Sequence, residues 1–161
     1  MRQLIEKKII DHLLVVPAGR PLLRDATPSA TGAQRRSMCE LAISTLPAAI
    51  SSHVEINPIE ILRQGPSYAI DTVEAVRSSY PEDEIFLIMG VDAYSKIDQW
   101  HRAEELQKLA TIICINRPGF APHGIDIAAL DISATAIRQE LSTGVPEIVA
   151  AFIRDNALYG N

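Results

Sequence analysis

The sequence predicts an α/β protein with a doubly wound parallel sheet. Short, continuously apolar segments alternate with helical ones, and strands of this kind are buried on both faces under crossover helices. These strands are Leu13–Val16, Ile85–Met89 and Thr111–Ile115. Each of them leads into a loop with polar or turn-forming residues, and ligands of such sheets bind beyond the carboxyl ends of the strands. The loops are Pro17–Arg24, Gly90–Asp92 and Asn116–Gly119.

Composition is that of an ordinary globular protein. The 161 residues are 47% apolar and 22% charged, which suits one domain over residues 1–161. A formal charge of −5 argues against non-specific binding to nucleic acid, and no apolar run is long enough to span a membrane. Cys39 and Cys114 form neither a disulfide framework nor a zinc pattern, so we expect a cytoplasmic protein.

In the first half of the chain, two helical patterns flank the first strand. One precedes Leu13, and the other carries Met38 on its apolar face and ends or kinks at Pro47. The segment His53–Ile61 is rich in Ile and Val, so it is predicted to be extended, with an interruption at Pro58.

Further helices are predicted in the rest of the chain. Ser67 is predicted to cap a helix that carries Ile70 and Val73 towards the core. A further helix is predicted around Ala103–Leu109, between two buried strands. Pro146 is predicted to open the last helix, because its fixed φ suits a first helical turn.

A candidate phosphate site lies at Asp131–Arg138, where an apolar helical pattern begins. Ser133 is a candidate N-cap, Thr135 falls in the first turn, and Arg138 follows little more than a turn further on. The positive end of a helix, two hydroxyls and a guanidinium together suit phosphate oxygens. The alternative is a capped surface helix with a solvated arginine.

The strand-end loops add candidates for a nucleotide. Gly90 would let a ligand approach the backbone, and Asp92 would accept hydrogen bonds from ribose or amide groups. Arg117 follows the next strand and would converge with Arg138 on one polyphosphate. The alternatives are a simple turn for Gly90 and Asp92, and a solvated charge for each arginine.

Two further segments suit a planar, anionic ligand. Trp100, the single tryptophan, would either stack on a heterocycle or anchor the core, and the sequence leaves both interpretations open. The free N–H groups of the helix that begins at Ser67 would hold a carboxylate or phosphate, unless this is an ordinary capped helix with Tyr68 packed nearby.

No motif for covalent catalysis is present. The sequence contains no Gly-x-Ser-x-Gly, no Walker loop and no metalloprotease helix, and its histidines have no metal-ligand spacing. Phosphate-binding residues without a nucleophile suit the direct transfer of a nucleotidyl group. Catalysis would then rest on positioning and charge stabilisation, with Mg²⁺ neutralising the phosphates.

Taken in order, several segments resemble one family, the bacterial nicotinate-nucleotide adenylyltransferases. The matching segments cover nearly the whole chain: Asp11–Pro21, Arg35–Ala42, Glu60–Thr72, Ile88–Asp92 leading to Trp100, Asn116–Gly119, Ile132–Arg138 and Phe152–Tyr159. The resemblance implies a Rossmann-like nucleotidyltransferase domain. It also implies the transfer of AMP from ATP to nicotinate mononucleotide, which gives deamido-NAD and pyrophosphate and uses Mg²⁺.

The resemblance also implies roles for individual residues. The ATP site would consist of Gly90, Asp92, Arg117, Ser133, Thr135 and Arg138. Trp100 would stack near the nicotinate ring, and the turn of Ser67, Tyr68, Ala69 and Ile70 would receive its carboxylate through backbone N–H groups. ATP and nicotinate mononucleotide are thus the expected partners. The sequence does not decide the oligomeric state, and a homo-oligomer is one alternative.

The chain also departs from the family. It contains neither the Gly-Gly-Thr-Phe-Asp-Pro loop nor the His-x-Gly-His motif with which the family opens, so no catalytic residue is assigned. We therefore expect an N-terminally truncated member that lacks the first strand and has little activity and modest stability. Ala69 stands where the family has threonine, and Leu22-Leu23-Arg24 stands for its Pro-His-Lys. An adenylyltransferase for another phosphorylated acceptor and a non-catalytic nucleotide-binding module are the alternatives.

Overall fold

The structure is a computed structural model, and it describes residues 2–20, 30–119, 124–127 and 144–159. The chain divides into two compact units, Met1–Pro66 with Ile132–Asn161 and Ser67–Asp131. The assignment of one domain to residues 1–161 stays a prediction. Among the described helices, none combines the length and apolarity needed to cross a membrane.

The first unit contains a parallel pair of short strands. Strand β1 (Leu13–Val15) pairs with β2 (Val54–Ile56), with Leu13 opposite Val54. The helices of this unit are α1 (Arg2–Glu6), α2 (Gly32–Ser44), α3 (Ala48–Ser51), α4 (Ile59–Leu62) and, close to the end of the chain, the helix Glu147–Asp155.

Helix α2 packs against the helix Glu147–Asp155. Their cluster of buried side chains contains Val149 and Ile153, with Met38 packed against it from α2. This arrangement confirms the predicted apolar face of α2 and the predicted last helix. Helix α2 begins with a capping box, in which the Thr31 hydroxyl accepts a hydrogen bond from the Gln34 N–H and the Gln34 side chain accepts one from the Thr31 N–H.

The second unit contains a longer parallel pair. Its elements are α5 (Ala69–Ser79), β3 (Phe86–Gly90), α6 (Val91–Tyr94), a 3₁₀ turn (Ile97–Gln99), α7 (Ala103–Leu109) and β4 (Thr111–Ile115). The helix Glu147–Asp155 of the first unit follows these elements in the chain and is numbered α8. Strands β3 and β4 pair in parallel over all five residues, and Gly90 lies opposite Ile115. The carboxyl ends of the two strands therefore meet at one edge.

Helices α5 and α7 share a buried core. Ile70 and Leu106 are fully enclosed, and Val73 and Ala110 complete the cluster. The Arg77 side chain donates two hydrogen bonds to the Leu109 carbonyl, at 3.3 and 2.9 Å, and so satisfies an acceptor that the end of α7 leaves open. The side chains that α5 and α7 bury thus hold the two helices together.

The predicted α/β class and the parallel strands are confirmed, with three local corrections. The predicted loop Gly90–Asp92 is not a loop, because Gly90 is the last residue of β3 and Val91 begins α6. The segment His53–Ile61 is not extended throughout, because the chain enters helix α4 at Ile59, where the Asn57 side chain accepts a hydrogen bond from the Ile59 N–H at 3.1 Å. Ser67 is not the N-cap of α5. That position belongs to Tyr68, whose backbone is still extended and whose side chain makes no capping hydrogen bond.

Candidate functional site

Most of the predicted site residues lie in the unit Ser67–Asp131. These residues are Ser67, Tyr68, Ala69, Ile70, Gly90, Asp92, Trp100 and Arg117. Ser133, Thr135 and Arg138 lie outside the described residues, as does the segment Leu22-Leu23-Arg24.

Asp92 and Arg117 form an ion pair at the common carboxyl edge of β3 and β4. Nη1 of Arg117 donates a hydrogen bond to Oδ2 of Asp92 at 3.1 Å, and both side chains are half-buried. Asp92 lies in the first turn of α6, directly after β3, whereas Arg117 follows the end of β4. The parallel register of the two strands therefore brings together residues that the sequence separates by 25 positions.

The absence of a side chain at Gly90 leaves the space that this pair occupies. A Cβ atom at Gly90 would overlap Oδ1 of Asp92 and would lie 3.1 Å from Cδ of Arg117. Its φ of −76° is open to any residue, so the constraint is the neighbouring side chains rather than the backbone conformation. Gly90 thus leaves room for the ion pair, a role that the sequence did not reveal.

The loop after β4 is fastened by Asn116, which the sequence indicated only as a loop residue. Its side-chain amide donates to the Gly124 carbonyl at 2.9 Å and accepts from the Gly124 N–H at 2.7 Å. The Ile125 N–H donates to the Cys114 carbonyl at 2.8 Å, so the returning chain continues the pairing of β4. We call these contacts the Asn116 clamp. They hold the backbone of Cys114 and Asn116, directly before Arg117, to the returning chain.

Cys114 is buried next to the Asn116 clamp, and the negative charge of Asp92 acts on its thiol. Burial raises the pKa of the Cys114 thiol, and the negative charge of Asp92 raises it further. The neutral thiol therefore predominates at neutral pH, and Cys114 is a packing residue rather than a nucleophile.

Tyr68 and His101 bring the two predicted parts of an acceptor site together. The centroids of their rings are 4.2 Å apart and the ring planes are tilted by 30°. Tyr68 precedes α5 and His101 follows Trp100, so the contact joins two segments that are distant in sequence. His101 is an exposed residue, and its ring lies in contact with the ring of Tyr68.

The structure bears out one of the two interpretations of Trp100 that the sequence left open. The residue is half-buried and packs against the core that contains Ile70 and Leu106, so it anchors the core. Its stacking on a ligand stays a prediction. The backbone turns from Trp100 into α7 through Arg102, whose φ is +52°.

Arg35 fixes the loop after β1 in the first unit. Its guanidinium donates hydrogen bonds to the carbonyls of Ala18, Gly19 and Ala30, and its Nε is buried without a hydrogen-bond partner among the described residues. The carboxylate of Glu60 accepts a hydrogen bond from the Gly19 N–H at 3.2 Å. The described part of the predicted loop Pro17–Arg24 is therefore held by contacts within the chain.

The residues that could bind a metal directly are few. Over residues 2–20, 30–119, 124–127 and 144–159, no three His, Cys, Asp or Glu side chains are grouped so that they could hold an ion. The chemistry that the described site offers is thus one guanidinium, one carboxylate and aromatic rings, which suit a phosphorylated, heterocyclic ligand.

The sequence matches the model of the cytidylyltransferase-like family over residues 1–140. It is 32% identical to a protein of Bacillus pumilus described as a probable nicotinate-nucleotide adenylyltransferase, with 93% of this chain and 83% of that protein covered. A protein of Thermus thermophilus with the same description is 34% identical over 93% of this chain and 84% of its own length.

The fold is similar to that of solved nicotinic acid mononucleotide adenylyltransferases from Plasmodium falciparum. A structure complexed with NaAD superposes with a TM-score of 0.78 at 18% identity, covering 98% of this chain and 89% of the other. A structure complexed with APC gives a TM-score of 0.72 at 19% identity, with 93% and 83% covered. The sequence relatives and the fold therefore agree.

Proposed function

The chain belongs to the cytidylyltransferase-like family and, within it, to the nicotinate-nucleotide adenylyltransferases, and on that premise we propose that it transfers AMP from ATP to nicotinate mononucleotide. The products are deamido-NAD and pyrophosphate. The observation that carries the proposal is the Asp92–Arg117 pair, which places a carboxylate and a guanidinium at the shared carboxyl edge of two parallel strands.

The reaction needs no covalent intermediate on the protein. A phosphate oxygen of the mononucleotide attacks the α-phosphorus of ATP and forms a new P–O bond. The bond from the α-phosphorus to the oxygen shared with the β-phosphorus breaks, and its electron pair leaves with pyrophosphate. The rate of such a transfer depends on the alignment of the two substrates and on neutralising the charge of the phosphates.

On the ATP side, Arg117 supplies a planar guanidinium that suits phosphate oxygens, and Asp92 supplies an acceptor for hydroxyl or amide hydrogens of the nucleoside. The Asn116 clamp fixes the backbone beside Arg117, so little conformational freedom remains to be lost on binding. Ser133, Thr135 and Arg138 are proposed, from the sequence and the family resemblance alone, as further phosphate-binding residues, and they lie outside the described residues.

On the acceptor side, the first turn of α5 has backbone N–H groups without partners within the helix, at Ala69 and Ile70. The positive end of a helix favours a carboxylate over a neutral carboxamide. In this proposal, a pyridine ring stacks on Trp100. Stacking suits nicotinate and nicotinamide alike, so the helix N-terminus is the feature that selects the nicotinate ring.

We propose that Mg²⁺ is bound mainly by the phosphates of ATP and not by a site that the protein forms alone. A triphosphate and water supply most of the six oxygens that Mg²⁺ needs, so a protein site contributes only one or two carboxylates. Asp92 is the residue of the described site that fits this requirement. When bound, the ion would supply positive charge against the phosphates during the transfer.

The test is an assay with ATP and nicotinate mononucleotide that measures pyrophosphate release and deamido-NAD by chromatography. The same assay with nicotinamide mononucleotide is the control, and we expect a kcat/KM lower by about tenfold or more, because a charge at the helix N-terminus is lost. Equal use of both acceptors, or of phosphopantetheine, would overturn the substrate assignment. Calorimetric binding of ATP without product formation would instead identify a non-catalytic module.

A further inference from the structure

Arg102 joins the two helices that follow the two parts of the proposed acceptor site. Its Nη2 donates one hydrogen bond to Oε1 of Glu74 at 2.9 Å and another to Oε2 of Glu105 at 2.5 Å. Glu74 belongs to α5, which begins directly after Tyr68, and Glu105 belongs to α7, which begins directly after Arg102. One guanidinium therefore bridges the two helices, across 28 positions of sequence.

The backbone of Arg102 sets the direction of the segment before α7. Arg102 has φ +52° and ψ +43°, a left-handed conformation that a residue with a Cβ atom rarely adopts. Trp100, two residues earlier, is extended. The change of direction at Arg102 therefore turns the chain from Trp100 and His101 into α7.

The three charges support one another. The hydrogen bonds that the Arg102 guanidinium donates to Glu105 and Glu74 raise the pKa of Arg102 further above its usual value, and the bond to Glu105 lowers the pKa of that carboxyl. All three side chains are partly exposed, at 35%, 42% and 55% for Arg102, Glu74 and Glu105. Such pairs weaken as salt is added, so their contribution can be varied without mutation.

The contacts of Tyr68 with the segment that contains Trp100 and His101 depend on the distance between α5 and α7, the two helices that Arg102 bridges. The rings of Tyr68 and His101 touch across the gap that Arg102 bridges, and Trp100 packs on the core shared by α5 and α7. We propose that Arg102 is a positioning residue for the acceptor nucleotide, which acts through Glu74 to hold Trp100 and His101 beside Tyr68. This inference rests on the proposed function, because it takes Trp100 and the start of α5 as the acceptor site.

The first experiment compares Glu74→Ala with Glu105→Ala. Both variants remove one carboxylate from Arg102, but only Glu74→Ala breaks the bridge between the helices, because Glu105 belongs to the helix that Arg102 itself precedes. In Glu74→Ala we expect the KM for nicotinate mononucleotide to rise about two- to fivefold. The KM for ATP stays unchanged in both variants, and the acceptor KM of Glu105→Ala stays within about twofold of the parent value.

The second experiment reads the position of Trp100 without activity. Trp100 is the single tryptophan, so the quenching of protein fluorescence by acrylamide reports its exposure. We expect stronger quenching in Glu74→Ala and Arg102→Ala than in Glu105→Ala. About 1 M NaCl, at which the Debye length is about 3 Å, should increase quenching in the parent chain but not in Glu74→Ala.

Two variants at position 102 separate the effect of the Arg102 side chain from the effect of its left-handed backbone conformation. Arg102→Gly relieves the left-handed conformation but removes the bridge, so it should behave like Arg102→Ala in both experiments. Arg102→Lys keeps the charge and should restore part of the acceptor affinity. An Arg102→Gly variant with parent-like KM and quenching would overturn the proposal, because the backbone alone would then position Trp100.

The measurements distinguish a wrong role for Arg102 from a wrong proposed function. If the parent chain neither binds nor adenylylates nicotinate mononucleotide, the proposed function is wrong and the acceptor role of Arg102 falls with it. If the parent chain does both but Glu74→Ala changes neither the acceptor KM nor the quenching, only the role of Arg102 is wrong.

Discussion

Nη1 of Arg117 and Oδ2 of Asp92 lie 3.1 Å apart because the strands that precede the two residues pair in parallel. Neither side chain belongs to a local motif, and each taken alone is typical of a solvated charge. The parallel register of β3 and β4 brings the two side chains together in one ion pair. A ligand that uses this group therefore depends on the packing of the whole unit and not on one loop.

Replacing Asp92 with alanine should reduce adenylyl transfer. The variant loses the carboxylate acceptor and the partner that orients Arg117, and a hydrogen bond to a charged group contributes about 1.5–3 kcal/mol. We therefore expect kcat/KM for ATP to fall roughly 10- to 100-fold. Asp98→Ala, in the exposed 3₁₀ turn, is the matched control and should leave the constant unchanged. Parent-like kinetics of Asp92→Ala would remove Asp92 from the ATP site.

Gly90→Ala should destabilise the chain through the carboxylate of Asp92. The added methyl group overlaps Oδ1 of Asp92, and inserting a methyl into occupied space costs about 1–3 kcal/mol in the free energy of unfolding. Urea denaturation of the single variants and of the Gly90→Ala, Asp92→Ala double variant measures the coupling. Gly90→Ala should cost less once Asp92 is alanine. A cost that is the same in both backgrounds would show that the overlap is relieved elsewhere.

Leu106→Ala should be among the most damaging core substitutions. Leu106 is completely buried between α5 and α7, and truncating such a leucine costs about 2–5 kcal/mol in the free energy of unfolding. Leu62→Ala is the control, because 75% of Leu62 is exposed and exposed substitutions change stability by about 0.5 kcal/mol or less. Equal midpoints of denaturation for the two variants would contradict the described core.

The two cysteines should react slowly and in a fixed order. Burial raises the pKa of both thiols above the ordinary value of 9.0, so little of the reactive thiolate is present at about pH 7. We expect iodoacetamide to label Cys39, which is half-buried, before Cys114, which is buried. In urea both should react at the same rate, and faster labelling of Cys114 in the native chain would contradict its burial.

The same shift has a consequence for stability. A thiol whose pKa is raised by folding favours the folded chain below the pKa of the unfolded chain. The unfolded chain ionises first as the pH rises above 9.0, so the contribution of Cys114 is lost on the alkaline side. The free energy of unfolding should therefore fall above that pH, and less steeply in a Cys114→Ala variant.

Local patterns predicted two elements of the second unit with their observed bounds, helix α7 at Ala103–Leu109 and strand β4 at Thr111–Ile115. They predicted neither helix α6 directly after β3 nor the N-cap of α5. In the first unit, the segment His53–Ile61 was predicted to be extended because it is rich in isoleucine and valine, but it enters helix α4 at Ile59. The Asn57 side chain starts a helical turn there, and such a local hydrogen bond outweighs the weak preference of single residues.

The contacts of the candidate site could be predicted only where strand order dictates them. Asp92 and Arg117 follow neighbouring parallel strands, so their approach follows from the fold class. The contact of Tyr68 with His101 and the left-handed backbone of Arg102 depend on how α5 and α7 pack, and no local pattern encodes either. The roles of Ser133, Thr135 and Arg138 stay predictions, because these residues lie outside the described residues.

The rate at which the Asn116 clamp opens can be measured by amide hydrogen exchange. The Gly124 N–H is held by a side chain and the Ile125 N–H by the Cys114 carbonyl, so these amides exchange with deuterium only when the clamp opens. Their exchange rates therefore measure the opening of the backbone next to Arg117. A nucleotide bound at Arg117 would slow that opening, and it would be detected at Gly124, a residue that the nucleotide need not touch.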